Sequence, residues 1–139
     1  MTHDSNVTDG QKVTLGDTTV TLALTPGHTP GTIAMLLPVK HQGRTHTALL
    51  LSGTQMPNRA SLAAFEHVFN DFAKKQNAEA ALGSHPGTLL SLETLEALGR
   101  AYPPGSHPVL YGPQRFARLS RHHARVRPGR LAALESKPS

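Results

Sequence analysis

Two short stretches, Val13-Thr-Leu15 and Thr18-Thr-Val-Thr-Leu-Ala-Leu-Thr25, alternate apolar and polar residues on either side of Gly16-Asp17. A period of two places one set of side chains on one face of a strand, and β-branched residues suit that pleated backbone. The pair therefore predicts a hairpin closed by a tight turn. The same composition returns from Thr32 to Val39 and from Thr45 to Ser52, around the polar turn His41-Gln42-Gly43-Arg44, and predicts a second hairpin. After Pro57 the period changes. Leu62, Phe65, Val68, Phe69 and Phe72 form one stripe of a helix that Ser61 would cap. Ala78 to Gly83 is a short apolar run, read as a fifth strand leading into Ser84-His85-Pro86-Gly87. Ser91 would cap a further helix carrying Leu92, Leu95 and Leu98, ended near Pro103-Pro104. Pro113 suits the first turn of a last helix, which Pro128-Gly129 should interrupt. The fold class read from this order is α+β, a mostly antiparallel sheet with flanking helices. Residues 1–11 form a loose lead-in, 12–127 the folded part and 128–139 a flexible tail.

Composition narrows the chemistry. The chain has 139 residues, which suits one domain or part of one. It has no cysteine, so disulfides, thiolate zinc sites and cysteine nucleophiles are excluded. No apolar run approaches the roughly 18 residues that span a bilayer, so no membrane partner is expected. The start, Met-Thr-His-Asp-Ser-Asn, lacks the basic and apolar regions of a signal peptide. The net charge of +5 is unevenly placed, because arginines stand at 115, 118, 121, 125, 127 and 130 with no acid between them. Such a stretch suits phosphate backbones or an acidic surface. Apart from Phe116 it lacks the interleaved aromatics of a nucleic-acid stripe, and a solvated helix face is the plainer reading. Nucleic acid is not expected as a partner.

The nine histidines carry the remaining chemistry. His28 lies in Thr25-Pro-Gly-His-Thr-Pro-Gly31, where a strand ends between two Pro/Gly pairs. Proline fixes its own φ and glycine permits the turn, so the imidazole is held on a defined loop. Metal ligation needs that fixed placement, although a surface turn is the commoner use of a generic Pro-Gly-His segment. The longer pattern resembles the metallo-β-lactamase superfamily motif that carries its third zinc-binding histidine. Gly83-Ser84-His85-Pro86-Gly87 resembles the segment bearing the last zinc ligand of that family. The helix after it, then His107-Pro108 and the basic helix, look like the C-terminal end of class B3-like members. The resemblance covers roughly residues 10–127.

The resemblance implies half of an αββα sandwich, with His28 on the first of two zinc ions and His85 on the second. The reaction it implies is hydrolysis of an amide, lactam or ester carbonyl in a small-molecule substrate by zinc-bound hydroxide. Ser52 or Thr54 would line the substrate pocket, with a strand end of small residues as the equal alternative. One departure is severe. The family's His-x-His-x-Asp-His signature supplies four ligands from the N-terminal half, and this chain contains no His-x-His. Its adjacent pair, His122-His123, points about 100° apart on a helix and suits a shared metal poorly. A catalytic zinc normally keeps three protein ligands, and here each of two zinc ions would receive one. The expectation is a truncated C-terminal half, inactive alone, or else a noncatalytic remnant or interaction module using its basic C-terminal helix. No Gly-x-Ser-x-Gly elbow is present to support a serine hydrolase instead.

The other histidines carry less. His3 is in the lead-in, His41 and His46 flank a hairpin turn, and His67 lies off the phenylalanine stripe, so all four read as solvated surface residues. His46 has no partner legible in the sequence, and His107 reads as a loop residue packing beneath the site. A half-fold would leave the inner face of its sheet uncovered, with Leu22, Leu24, Ile33, Met35, Leu37, Leu49 and Leu51 as the residues expected there. The implied partners are a complementary N-terminal half or a second copy, and two copies would bring two His28 and two His85 together. The expected compartment is cytoplasmic by default, with the periplasm open to a complete parent.

Overall fold

A computed structural model describes residues 6–53, 58–85, 92–103, 107–116 and 118. Strands β1 (Lys12–Leu15), β2 (Thr18–Leu24), β3 (Ile33–His41) and β4 (Arg44–Leu51) form an antiparallel meander, and β5 (Ala80–Gly83) joins β4 in parallel. Both expected hairpins form. The β3–β4 turn is tight because Gln42 and Gly43 both take positive φ, +48° and +75°, the mirror-image turn whose twist matches paired strands. Pro38 is tolerated inside β3 because the β2 ladder stops at Leu36, leaving that edge without a neighbour to receive an N–H.

A helix α1 (Arg59–His67) runs directly into a π-helical segment, Val68–Ala73. Its cap differs from the sequence expectation. Asn58 is the N-cap, and its side-chain oxygen accepts from the Ser61 backbone N–H at 2.9 Å and from the Ser61 hydroxyl at 2.8 Å. Ser61 thus sits in the first turn, buried, as the capped residue and not the cap. A second helix, α2 (Leu92–Leu98), follows β5, and residues 112–116 are helical after Pro103 and the 107–111 segment. The expected cap Ser91, the interruption at Pro128-Gly129, the tail 128–139 and most of the basic stretch lie outside the described residues.

Cross-strand register decides which face is the core. Ala23 pairs with Ala34, Ala34 with Leu51, Leu36 with Leu49, and Leu49 with Ala81. Residues directly opposite in neighbouring strands share a face. These side chains meet Phe65, Val68, Phe69, Ala73 and Phe116 in one buried cluster. The opposite face carries Leu22, Leu24, Ile33, Met35, Leu37 and Leu50, through the pairs Leu22–Met35, Leu24–Ile33 and Met35–Leu50. Ile33, Met35, Leu37 and Leu50 are only half-buried there, and Leu24 is exposed. The sequence list for the open face therefore mixed two sides: Leu49 and Leu51 belong under the helix. The error is one of strand parity, because a shift of one residue moves a side chain to the other face.

Candidate functional site: two histidine-bearing ends of one sheet

The β2–β3 connection is pinned at its neck and inside. The Thr25 N–H donates to the Thr32 carbonyl at 2.9 Å, the Thr32 N–H to the Thr29 carbonyl at 3.2 Å, and the Thr29 N–H to the Thr32 hydroxyl at 2.9 Å. Thr25 and Thr32 are buried; the Thr32 hydroxyl serves the loop, whereas the Thr25 hydroxyl finds no partner among the described residues. Exposed His28 is carried on this loop and lies against the backbone of Gly53, just past β4. A Cβ placed on Gly53 would come 2.9 Å from His28 Cβ and 3.5 Å from His28 Cγ, so the absence of a side chain at 53 is what admits the histidine.

The end of β5 is tied to the same place. The Ser84 N–H donates to the Leu51 carbonyl and the Ser84 hydroxyl to the Ser52 carbonyl, each at 3.1 Å. His85 is the next residue and is exposed. The loops of both expected zinc ligands are thus anchored on Leu51–Gly53, with half-buried Ser52 between them. Thr54 lies outside the described residues. Among the described residues no three His, Cys, Asp or Glu side chains come together to hold a metal. The described residues therefore do not make a complete zinc site.

At the other end of the sheet, about 17 Å away along β4 at ~3.3 Å per residue, stands a cluster that the sequence reading dispersed. His46 is buried, with its Nδ1 2.6 Å from Glu79 Oε2. The His41 and His107 rings meet edge to face with centroids 4.5 Å apart, and Tyr102 lies 5.0 Å from His107. His107 Nδ1 accepts from the Val109 and Leu110 N–H groups, each at 3.2 Å. His46 is therefore not a surface residue, and His41 is half-buried. No local signal pairs His46 with Glu79, 33 residues on; the parallel alignment of β4 and β5 brings them together, fixed by the Glu79 N–H donating to the Thr47 carbonyl at 2.9 Å. His67 is exposed as expected, 3.2 Å from Asp71 and 3.4 Å from Asp9.

Burial, then the neighbouring His41 and His46, lower the pKa of His107 below its ordinary value of 6.5. Its Nδ1 also faces two N–H donors, so a proton there would displace both hydrogen bonds. The unfolded chain takes up a proton at His107 more readily than the fold does. The stability that His107 contributes is complete above pH 6.5 and falls as pH drops from 6.5 towards the lower folded value. Urea unfolding midpoints between about pH 7.5 and pH 5 should show this loss, and His107→Gln, whose amide oxygen still accepts, should flatten it.

No protein-family model matches the chain, and no curated protein sequence matches it. Solved structures do. A subclass B3 metallo-β-lactamase of Bradyrhizobium japonicum is 24% identical with a TM-score of 0.65, covering 96% of this chain and 52% of its own. A metallo-β-lactamase of Cronobacter sakazakii is 21% identical with a TM-score of 0.63, covering 99% and 53%. The native metallo-β-lactamase of Legionella gormanii is 21% identical with a TM-score of 0.62, covering 93% and 51%. The chain spans about half the length of the solved structures it matches, and at these identities the likeness is one of fold.

Proposed function

We propose that this chain, which has the fold of about half of a metallo-β-lactamase, contributes one ligand to each of two zinc ions in a hydrolase completed by a complementary half. His28 serves the first zinc and His85 the second, and Ser52 lines the pocket for a small amide, lactam or ester. The observation that carries this reading is the seating of both histidine segments on adjacent residues of one strand end, His28 against Gly53 and Ser84, next to His85, on the Leu51 and Ser52 carbonyls. A shared anchor fixes two ligands relative to each other without any metal present, as a preorganised site requires. The half-buried apolar face of Ile33, Met35, Leu37 and Leu50 supports a partner half, because soluble monomers rarely leave a large contiguous apolar patch open. The alternative of an interaction module on the basic helix has no observation to favour it, since most of that stretch lies outside the described residues.

Zinc content per chain, with oligomeric mass from the same sample, tests the proposal. The chain alone should hold well under one zinc, since one ligand per ion is too few. Mixed with a complementary half that bears His-x-His-x-Asp-His, it should reach two zinc ions per complex and hydrolyse substrate. His28→Ala and His85→Ala should each remove one zinc. Gly53→Ala should weaken zinc binding by about 10–100-fold, the usual cost of disturbing a ligand's support, because the new Cβ displaces His28. Full zinc uptake by His28→Ala in the complex would overturn the assignment.

A further inference from the structure

The cleft between the β3–β4 turn on one side and Tyr102 and residues 107–112 on the other belongs to no part of the proposed zinc site. Its volume is about 310 Å³, and His41, Arg44, His46, Tyr102, His107 and Tyr111 line it together with Glu79, Gln42, Leu110 and Gly112. Its hydrogen-bonding inventory is lopsided. His107 Nδ1 is occupied by two backbone N–H groups, so in the neutral ring the proton sits on Nε2, which is a donor. Glu79, the one carboxylate in the lining, is engaged with His46 Nδ1 at 2.6 Å. Arg44 has no carboxylate partner among the described residues, and the two tyrosine hydroxyls are further donors.

A metal ion does not suit this arrangement. The ring nitrogen of His107 that carries a lone pair already faces the backbone, and among the described residues no three ligands gather. An organic cation would meet Arg44 and three imidazoles with the only carboxylate already paired. A donor-rich, positively biased cleft calls for an acceptor. We propose that this cleft binds a tetrahedral oxyanion, a phosphate or the phosphate group of a monoester, held by Arg44, His41, His107 and the Tyr102 and Tyr111 hydroxyls.

Arginine is suited to such an anion because its planar fork donates two parallel hydrogen bonds. The groups facing the anion are His41 from β3, Arg44 and His46 from β4, Glu79 before β5, and Tyr102, His107 and Tyr111 from the segment across the cleft.

Sulfate and inorganic phosphate are the probes, titrated into the full chain while imidazole ¹⁵N resonances are followed. The expected result is saturable shifts at His41, His46 and His107, the imidazoles that line the cleft. Arg44→Gln, at an exposed hairpin position, should weaken binding about tenfold or more, the worth of a charged hydrogen bond. Tyr102→Phe, which keeps the ring contacts, should weaken it less. His28→Ala at the far end of the sheet should leave sulfate binding unchanged, which separates this site from the zinc proposal. Shifts reproduced by chloride at matched ionic strength, absence of saturation, or indifference to Arg44→Gln would each overturn the inference.

Discussion

Phe69→Ala is expected to lower the stability of the fold by about 3–5 kcal/mol, the range for deleting a buried phenylalanine. Phe69 is 3% exposed, and its ring lies 4.7 Å from that of Phe65 and 5.8 Å from that of Phe116, nearly parallel to the latter. It thus joins α1 and the π-helical turn that continues it to the helical residues 112–116, far along the chain. Alanine would leave a cavity whose walls belong to the sheet on one side and to Phe116 on the other. A domain is commonly stable by only about 5–15 kcal/mol, so the variant should lose a large share of its folded population. Phe72, packed at the edge of the same cluster, should cost clearly less on the same substitution. Urea unfolding followed by circular dichroism measures both. A loss under about 1 kcal/mol for Phe69→Ala would mean that the π-helical turn does not hold the sheet.

The second large effect separates the two faces of the sheet. Met35 and Leu50 are paired on the half-buried face, whereas Leu36 and Leu49, one residue away in each strand, are 4% and 0% exposed beneath the helix. The double variant Met35→Lys, Leu50→Lys should keep the fold, because a lysine stem lies along apolar surface while its ammonium reaches water. It should nonetheless weaken association with a complementary half by about a hundredfold or more, since docking would bury two unpaired charges. Leu36→Lys with Leu49→Lys should unfold the chain. Mass by light scattering, with circular dichroism on the same samples, reads both outcomes. Unchanged association of the Met35/Leu50 variant would show that this face is not where a partner half docks.

Much of the chain was legible in its residues. Alternation and turn chemistry placed both hairpins, since each depends on neighbours within a few positions, and the phenylalanine stripe placed the helix. The motif around His28 and the segment at His85 were visible because proline, glycine and histidine occur there in a fixed local order. Their resemblance to metallo-β-lactamases led to the half-fold that the solved structures bear out. The side of the sheet to which Leu49 and Leu51 belong was not legible, since it follows from cross-strand register, and one residue of slip inverts every assignment. Nor was the helix cap, because Asn58 and Ser61 are both acceptable caps and only the backbone geometry selects Asn58.

The sequence by itself determined the strands, the helix stripe and the loops that carry His28 and His85, all of them local periodicities. Only the tertiary structure decided that those two loops rest on one strand end at Leu51–Gly53. It alone gathered His41, His46, Glu79, Tyr102 and His107 into one cleft at the opposite end. Those residues span more than sixty positions, and nothing local couples them. Their meeting comes from the parallel docking of β5 on β4 and the return of residues 107–111 along β5, where Leu110 bridges to Ala80.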